Sequence, residues 1–490
     1  MKTGQLFING AWINAQDSYE KLSPSTNRIY GVVGKASKKD VGLAVDAASN
    51  ALPMWSSVPI SERALIIKKA ADILVEMYGD EGKPTDLKSL ITNEMGKRLQ
   101  EADIEVIESS DMVAYFSENG ERLLTHKVLT LNTDLWPTKK SIVEYEPVGV
   151  VGVIKTWNYP LELPIWTIAP ALIAGNTIVF KPSEHSPFVG IEIGKIFERA
   201  GLPNGVLNVV TGCGKTGEYL VEHKDVNMID FTGSVETGRK IAMSCAASLK
   251  KYNLELGGND AAIVCDDADL ELTSNGLVWG AFCNSGQVCV GVKRAFIDKS
   301  IKEDLLQKIL NKTNALVPGK DYGPIISESQ LNEIENFISD AITKGAEVLS
   351  GGKKIKDKSG LYYPPTILIG LTPDMRIMRE ECFGPLLPII FVNDTDEAIT
   401  FANDSIYGLG ASIWTVDKNK GIDIARKIQS GMVWVNDVNV AFPEAPWGGI
   451  KSSGIGIALS DQAIYEYTEY KHISIEQSDE QKRIWWYPYS

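Results

Sequence analysis

The most constraining feature of the sequence is a regular alternation of apolar strand-like segments and helix-like segments between residues 144 and 256. Short apolar runs such as VGVVGVI (148–154) and TIVFKP (177–182) are each followed by a longer segment of helical composition. This alternation predicts a parallel β-sheet with both faces covered by helices. The predicted strands are 148–154, 177–182, 206–212, 226–234 and 251–258, and the predicted helices are 163–175, 189–201, 215–223 and 235–249.

A second alternating series, between residues 260 and 436, predicts a second α/β unit. Two such units suggest two lobes with a ligand-binding cleft between them. Residues 119–147 are more polar and strand-like, which predicts an arm outside both cores. The predicted strands of the second series include 293–298, 386–392 and 431–436, and its predicted helices include 301–316, 329–344 and 396–403.

Composition and charge exclude several classes of function. A formal net charge of −14 over 490 residues makes nucleic acid an unfavourable partner. The N-terminal sequence MKTGQLFINGAWINAQ lacks the apolar core of a signal peptide, and no window is apolar enough to predict a membrane span. The six cysteines are scattered, with neither a disulfide framework nor metal-ligand spacing. We therefore expect no metal and a reducing, cytoplasmic location.

Two short motifs contain candidate catalytic residues. Cys289 lies in NSGQVCVGVKR (284–294), shortly before Lys293 and Arg294. A lone cysteine is usually a small buried apolar side chain, but a thiolate is also a strong nucleophile. Glu255 lies at the end of a predicted strand in LELGGND (254–260), where it is either an ordinary exposed glutamate or a general base.

Two further motifs are candidates for cofactor binding. FTGSVETG (231–238) follows a predicted strand and opens a predicted helix, so Gly233 and Gly238 fit either a plain tight turn or a pyrophosphate site. KPSEHSP (181–187) contains Lys181 and Glu184, which are either a solvated pair or a grip on two ribose hydroxyls. GCGKT (212–216) does not complete a phosphate-binding loop, because Val209 stands where that motif needs its first glycine.

The order of the motifs resembles the aldehyde dehydrogenase superfamily over nearly the whole chain. The matching motifs are KTWNYP (155–160), KPSE (181–184), FTGSVETG (231–238), LELGG (254–258), GQVC (286–289), EECFGP (380–385) and PWGGIKSSG (446–454). The resemblance implies an α/β fold of two Rossmann-like domains and a β-arm for oligomerisation. The implied ranges are 1–125 and 148–256 for NAD binding, 257–455 for catalysis, and 126–147 with 466–490 for the arm and C-terminal tail.

The resemblance also assigns catalytic roles to three residues. Cys289 would add to the aldehyde as a thiolate and form a thiohemiacetal. Transfer of hydride to C4 of a nicotinamide would leave a thioester, which water activated by Glu255 would hydrolyse. The side chain of Asn158 and the backbone N–H of Cys289 would stabilise the oxyanion.

NAD is the implied cofactor. By resemblance, Lys181 and Glu184 hold the adenine ribose, and Gly233 and Ser234 face the pyrophosphate. Glu184 favours NAD over NADP, because a carboxylate repels a 2′-phosphate. The full set of implied cofactor contacts is Lys181, Glu184, Gly233, Ser234, Gly238, Leu256, Glu381, Phe383 and Trp157.

The substrate is implied only as a small aldehyde. By resemblance, the aldehyde enters through a tunnel lined by aromatic residues. These rings form either an apolar lining or a box for a cationic head group, as in betaine-aldehyde and aminoaldehyde dehydrogenases. Cys283 stands where many cation-specific members have a further aromatic residue, which favours the apolar tunnel. The implied tunnel residues are Tyr159, Glu162, Trp166, Val288, Val290 and Trp447.

Two departures and two alternative functions remain. Asn259 replaces the lysine that many members carry, and the tail IWWYPYS (484–490) is unusually aromatic. The alternatives are a CoA-acylating relative and a non-catalytic binding or structural protein, although Cys289, Asn158 and Glu255 are all present. The expected assembly is a homodimer or a homotetramer.

Overall fold

An eight-stranded sheet organises the first half of the protein. The computed structural model describes residues 2–78, 86–355, 358–479 and 486–487. Five apolar strands in this sheet run parallel, as the alternation predicts. In spatial order the strands are Gly454–Ile455, Lys251–Glu255, Met228–Thr232, Val150–Ile154, Thr177–Lys181, Leu207–Val209, Leu6–Ile8 and Ala11–Ile13.

The order of the five parallel strands is that of a doubly wound sheet. Val150–Ile154, the first of the five in sequence, is central. The next two strands are added on one side of it, and Met228–Thr232 and Lys251–Glu255 are added on the other, so the switch point lies between Val150–Ile154 and Met228–Thr232. Ligands of such sheets bind at the carboxyl ends of the strands, beside this switch point. The loops that begin at Lys155 and Gly233 lie there.

A seven-stranded sheet repeats this arrangement in the second half. Its switch point lies between Ala261–Val264 and Gly410–Trp414, and all but one of its strand pairs are parallel. Residues 256–260 connect the carboxyl end of Lys251–Glu255 to the amino end of Ala261–Val264. The order is Glu347–Ser350, Thr366–Ile369, Leu386–Val392, Arg294–Asp298, Ala261–Val264, Gly410–Trp414 and Met432–Val435.

Helices cover both sheets. Glu162–Ile173 is buried along its whole length, which matches a segment that is apolar on every face. It packs against the long helix Leu99–Leu124. The helices are Lys38–Ser57, Ile60–Tyr78, Leu87–Met95, Leu99–Leu124, Glu162–Ile173, Pro187–Ala200, Gly214–Glu222, Val235–Ser248, Leu270–Phe282, Lys302–Asn314, Glu328–Thr343, Arg376–Arg379, Thr395–Asn403, Lys418–Ala425 and Ser460–Glu466.

Two small sheets complete the fold. One contains Lys2–Gly4, Arg28–Lys35 and Asp17–Ser23. The other, which we call the arm sheet, contains Thr468–Glu476, Lys139–Pro147 and Lys127–Leu129. The strand-like prediction for 119–147 was wrong at its start, because residues 119–124 form the last turns of a helix.

The implied domain ranges stay a prediction. One strand crosses them, since Gly454–Ile455 falls in the range assigned to catalysis and yet pairs with Lys251–Glu255 in the first sheet. Most of the aromatic tail lies outside the described residues. Among the residues that are described, none of the helices is long and apolar enough to cross a membrane.

Candidate active site

Cys289 lies on a loop with an unusual backbone path. The helix Leu270–Phe282 ends at Cys283, and the next three residues all have left-handed backbones, with φ of 46° at Asn284, 57° at Ser285 and 71° at Gly286. A Cβ at position 286 would lie 2.1 Å from the carbonyl oxygen of Gly384, so only glycine fits. The chain is thereby turned sharply just before the cysteine.

Buried amide side chains hold this loop in place. The Gln287 Nε2 donates to the carbonyl of Asn284 at 2.9 Å, and its Oε1 accepts from the N–H of Ile326 at 2.9 Å. The Asn284 Nδ2 donates to the carbonyl of Asn158 at 3.1 Å. This last bond joins the Cys289 loop directly to the predicted oxyanion residue.

The surroundings of Cys289 favour the neutral thiol. Burial is the main cause that raises its pKa, and the nearby carboxyls of Glu381, Asp260 and Glu255 raise it further. The backbone N–H of Val290 acts in the opposite direction and is the weaker effect. Attack by the sulfur therefore requires removal of a proton or a change of charge in the site.

Glu255 is a buried carboxyl at the end of its strand, 6% exposed. Burial raises its pKa well above the ordinary value, the Lys155 ammonium lowers it, and Asp230 raises it. Its Oε1 is buried without a hydrogen-bond partner. A carboxyl held in this way can accept a proton near neutral pH, as a general base must.

Asn158 is 1% exposed, and its Oδ1 has no hydrogen-bond partner. It follows the strand Val150–Ile154 at the switch point, and its backbone is tied to the Cys289 loop. Neither Asn158 nor Glu255 lines the cavity that contains Cys289. Asn158 adjoins the cavity through its bond to Asn284, which lines it, and Glu255 ends its own strand of the first sheet.

That cavity, which we call the tunnel, brings together all six predicted substrate residues. Tyr159, Glu162, Trp166, Val288, Val290 and Trp447 line it together with Cys289. The rings of Trp166 and Trp447 pack edge to face with centroids 5.1 Å apart. Cys283 also lines the tunnel, where burial raises its pKa to about 12.

The sequence analysis missed an acidic wall of the same tunnel. Glu101, Glu105 and Glu108 line it from the helix Leu99–Leu124, with Lys97 and Arg98 just before that helix. Their spacing of four and three residues places them on one helix face. That spacing was visible in the sequence, but charged residues at helical spacing usually form a solvated face.

Charge in this wall is unbalanced. Lys97 Nζ lies 2.5 Å from Glu105 Oε2 and 3.6 Å from the centre of the Tyr159 ring. Burial, then the charge of Glu105, raises the pKa of Glu108 to about 7. Burial, then Glu108 and Glu105, raises the pKa of Glu162 well above its ordinary value.

The predicted ribose pair is present in the structure. Lys181 Nζ donates to Glu184 Oε2 at 3.3 Å. Burial would raise the pKa of Glu184, but the charge of Lys181 and further hydrogen bonds outweigh it and lower that pKa. The spare ammonium protons and the second carboxylate oxygen match the donors and acceptors of two ribose hydroxyls. The residues therefore fit the adenosine half of a dinucleotide.

The predicted pyrophosphate turn is present with one correction. Ser234 caps the helix Val235–Ser248, and Gly233 lies just before it. Gly238 does not serve the turn, because it lies inside the helix, where a Cβ would be 2.5 Å from the side chain of Leu256. Its role in the structure is to let that helix approach Leu256.

The predicted nicotinamide side is also assembled. The rings of Trp157 and Phe383 meet edge to face, 5.6 Å apart. Glu381 Oε1 accepts from the N–H of Gly258 at 3.3 Å, and burial raises the pKa of Glu381 to about 7. Trp157 follows a strand of the first sheet and Phe383 precedes a strand of the second, so this contact joins the two.

A doubly wound sheet with a ribose pair, next to a loop that presents a cysteine, defines a dinucleotide-dependent oxidoreductase that works through a thiol. The aldehyde dehydrogenase family model matches residues 12–473. The chain belongs to the aldehyde dehydrogenase family.

Individual relatives can be aligned with this chain over nearly its full length. The betaine aldehyde dehydrogenase of Bacillus subtilis is 36% identical over 96% of this chain and 96% of its own. The peroxisomal aminoaldehyde dehydrogenase 1 of Pisum sativum is 37% identical over 97% of this chain and 96% of its own. The crystal structure of betaine aldehyde dehydrogenase from Staphylococcus aureus in complex with NAD+ has a TM-score of 0.94 and 32% identity, covering 98% of this chain and 96% of that one.

These findings confirm the predicted fold class, the aldehyde dehydrogenase activity and NAD as the cofactor. They also answer the non-catalytic alternative, since the chain is an enzyme of this family. Among the residues described, no group of three or more His, Cys, Asp or Glu side chains is arranged to hold a metal ion.

Proposed function

We propose that the chain oxidises a cationic aldehyde, of the ω-aminoaldehyde class, to its carboxylic acid through a thioester on Cys289. The carrying observation is the excess of carboxyl groups, buried or half-buried, in the tunnel that leads to Cys289. Lys97 supplies one positive charge to three neighbouring carboxyls, Glu105, Glu108 and Glu162. A substrate ammonium would stabilise the ionised form of Glu108, whose pKa is raised to about 7 without it.

The proposed chemistry uses the residues as follows. The Cys289 sulfur bonds to the aldehyde carbon while its proton is removed, and the oxygen becomes an oxyanion near Asn158. Bound NAD+ supplies the acceptor for the hydride that leaves this carbon. Water then bonds to the thioester carbonyl carbon, Glu255 takes its proton, and the carbon–sulfur bond breaks to release the acid.

Hydrolysis distinguishes this proposal from the CoA-acylating alternative. The support for hydrolysis is a buried carboxyl with a raised pKa beside the cysteine, which is the group needed to activate water. In the alternative reaction an external thiol takes the acyl group, and product formation would depend on added CoA. Assays with and without CoA separate the two.

An ammonium with N–H groups suits the tunnel better than a quaternary one. Carboxylates accept hydrogen bonds from N–H donors, whereas a quaternary ammonium needs free aromatic faces. The Tyr159 face already carries the Lys97 ammonium, and Trp166 and Trp447 pack against each other. Cys283 adds no further ring. The aromatic box is therefore largely occupied by contacts within the protein.

Glu108→Gln is expected to lower kcat/KM for an ω-aminoaldehyde about tenfold or more, since a charge-assisted hydrogen bond contributes about 1.5–3 kcal/mol. An uncharged aldehyde of the same length should be unaffected. In the wild type, KM for the cation should fall as pH rises through about 7, because the cation binds the ionised form of Glu108. The glutamine variant should lose that slope.

Glu118→Gln is the matched control, because Glu118 lies on the same helix outside the tunnel. Betaine aldehyde and Trp447→Ala complete the test. A cation preference that Trp447→Ala removes and Glu108→Gln spares would mean that the aromatic rings recognise the head group. Equal kcat/KM for charged and neutral aldehydes would contradict a cationic substrate altogether.

The preference for NAD is proposed to depend on Glu184. Glu184→Ser should raise the kcat/KM with NADP relative to NAD, because it removes a charge that opposes a 2′-phosphate. Glu20→Ser is a suitable control for loss of one negative charge, since Glu20 lines the same surface pocket as Glu184. An unchanged ratio of the two cofactors in Glu184→Ser would show that other groups recognise the ribose.

We also propose a homodimer or homotetramer in the cytoplasm. The arm sheet exposes apolar side chains such as Val128, 56% exposed, and Tyr470, 68% exposed, which a second copy would cover. All six cysteines are free, as in reducing compartments. Light scattering of the purified enzyme and cell fractionation test these two proposals.

A further inference from the structure

A buried ion pair lies beside Glu255 on the same face of the first sheet. In the register of two parallel strands, Asp230 pairs with Asn253, and Thr232 pairs with Glu255. Alternate residues of a strand share a face, so these four side chains lie on the same face of the sheet. They form two adjacent polar rows across the strands, Asp230 with Asn253 and Thr232 with Glu255. Lys155 immediately follows the neighbouring strand Val150–Ile154.

Lys155 connects the two rows. Its Nζ is hydrogen-bonded to Asp230 Oδ1 and lies 3.0 Å from Thr232 Oγ1, so the ammonium reaches the row that contains Glu255. The side chains of Lys155 and Asp230 are 4% and 1% exposed. Asp230 also accepts bonds from Thr167 and Asn253 at 3.0 Å and from the Tyr467 hydroxyl at 2.7 Å.

Such a pair is costly to bury, and the aspartate is surrounded by donors that fix its position. Glu255, by contrast, has a carboxyl oxygen without any partner. The Lys155 ammonium lies against Thr232, the register partner of Glu255, and its charge lowers the pKa that burial raises. The other titratable groups that interact with Asp230 are Tyr467 and Glu466, and Lys251 acts in turn on Glu466.

We propose that Lys155 is a positioning residue for hydrolysis of the acyl-enzyme, with an ammonium, held by Asp230, that stabilises the carboxylate form of Glu255. The inference rests on the proposed role of Glu255 as the base. Lys155 acts through its charge and transfers no proton in this step. The proton of the attacking water goes to Glu255, and Lys155 determines at which pH Glu255 is free to accept it.

The test is the pH dependence of hydrolysis in Lys155→Met combined with Asp230→Asn. Removing both charges avoids leaving one buried and unpaired. The first-turnover burst of NADH should persist. The acidic limb of the pH profile, where hydrolysis slows because Glu255 becomes protonated, should move to higher pH. A shift of one pH unit lowers hydrolysis below that limb about tenfold. An unmoved limb with a normal rate would overturn the proposal.

Three further variants separate positioning from folding and from the role of Glu255. Tyr467→Phe removes one donor to Asp230 and keeps both charges, so it should lower Tm and leave the limb in place. If the double variant fails to fold, Asp230→Asn alone serves. Asp230 raises the pKa of Glu255 and Lys155 lowers it, so loss of the aspartate charge should move the acidic limb of hydrolysis downward. An unmoved limb overturns the inference. If Glu255→Gln hydrolyses normally, the role of Glu255 itself is wrong.

Discussion

Cys289→Ala is expected to abolish aldehyde oxidation, with turnover reduced by about 10⁴-fold or more, as for loss of other covalent nucleophiles. Without the sulfur no thiohemiacetal forms, and the aldehyde carbon has no route to release hydride. NAD binding should be nearly unchanged, because the predicted ribose and pyrophosphate contacts lie on the first sheet. Absorbance of NADH measures turnover, and calorimetry measures cofactor affinity.

Cys283→Ala is the matched comparison, because both cysteines line the tunnel. Cys283 makes only a weak contact, with the Asn439 Nδ2 at 3.8 Å from its sulfur. Its removal should change KM and leave the burst of NADH intact. Comparable turnover in Cys289→Ala and the wild type would refute the thioester mechanism.

The sequence predicted the parallel sheets because several of their strands are almost wholly apolar. Val150–Ile154 and Thr177–Lys181 are buried at every position, so no polar alternation obscured them. The short strands Leu6–Ile8 and Gly454–Ile455 were not predicted. Gly454–Ile455 pairs with Lys251–Glu255, far earlier in the chain, and no local pattern encodes such pairing. Leu6–Ile8 pairs with the nearby Ala11–Ile13 as well as with Val209, but three residues are too few to show a strand pattern.

The catalytic loop was recognised by its motif, and its geometry came only with the structure. The left-handed turn at Asn284, Ser285 and Gly286 depends on the close approach of Gly384, about a hundred residues later in the chain. The same limit applied to Gly238, where a turn residue was expected and a helix-packing residue was found. A glycine in a sequence can mark a positive φ or the close approach of another part of the chain, and the sequence does not distinguish the two.

The acidic tunnel wall shows what sequence reasoning lacked. Glu105 and Glu108 lie about fifty residues before the WNYP motif, in a helix that contains none of the recognised motifs. Burial of Glu105 depends on Lys97, and also on the backbone N–H of Leu161, which donates to it at 2.9 Å. Only the folded chain shows that these carboxyls face the same tunnel as Cys289.

Glu255→Gln is expected to form the acyl-enzyme and then hydrolyse it about 10²-fold more slowly or worse. The amide has the shape of the carboxyl but takes no proton from water. A burst of NADH followed by a very slow steady rate is the expected trace. In the wild type, hydrolysis should rise with pH through a pKa above the ordinary glutamate value, because burial stabilises the protonated form; the variant should lose that rise.

The burst itself decides between two roles for Glu255. Burial and three nearby carboxyls keep Cys289 protonated, so some group must accept the thiol proton before attack. If Glu255 does so, the burst in Glu255→Gln will be slow at neutral pH and recover as pH rises toward the thiol pKa. A fast burst at neutral pH assigns Glu255 to hydrolysis alone. A normal steady rate would exclude both roles and leave Glu381, whose pKa is raised to about 7, and Asp260 as the remaining carboxyls near the sulfur.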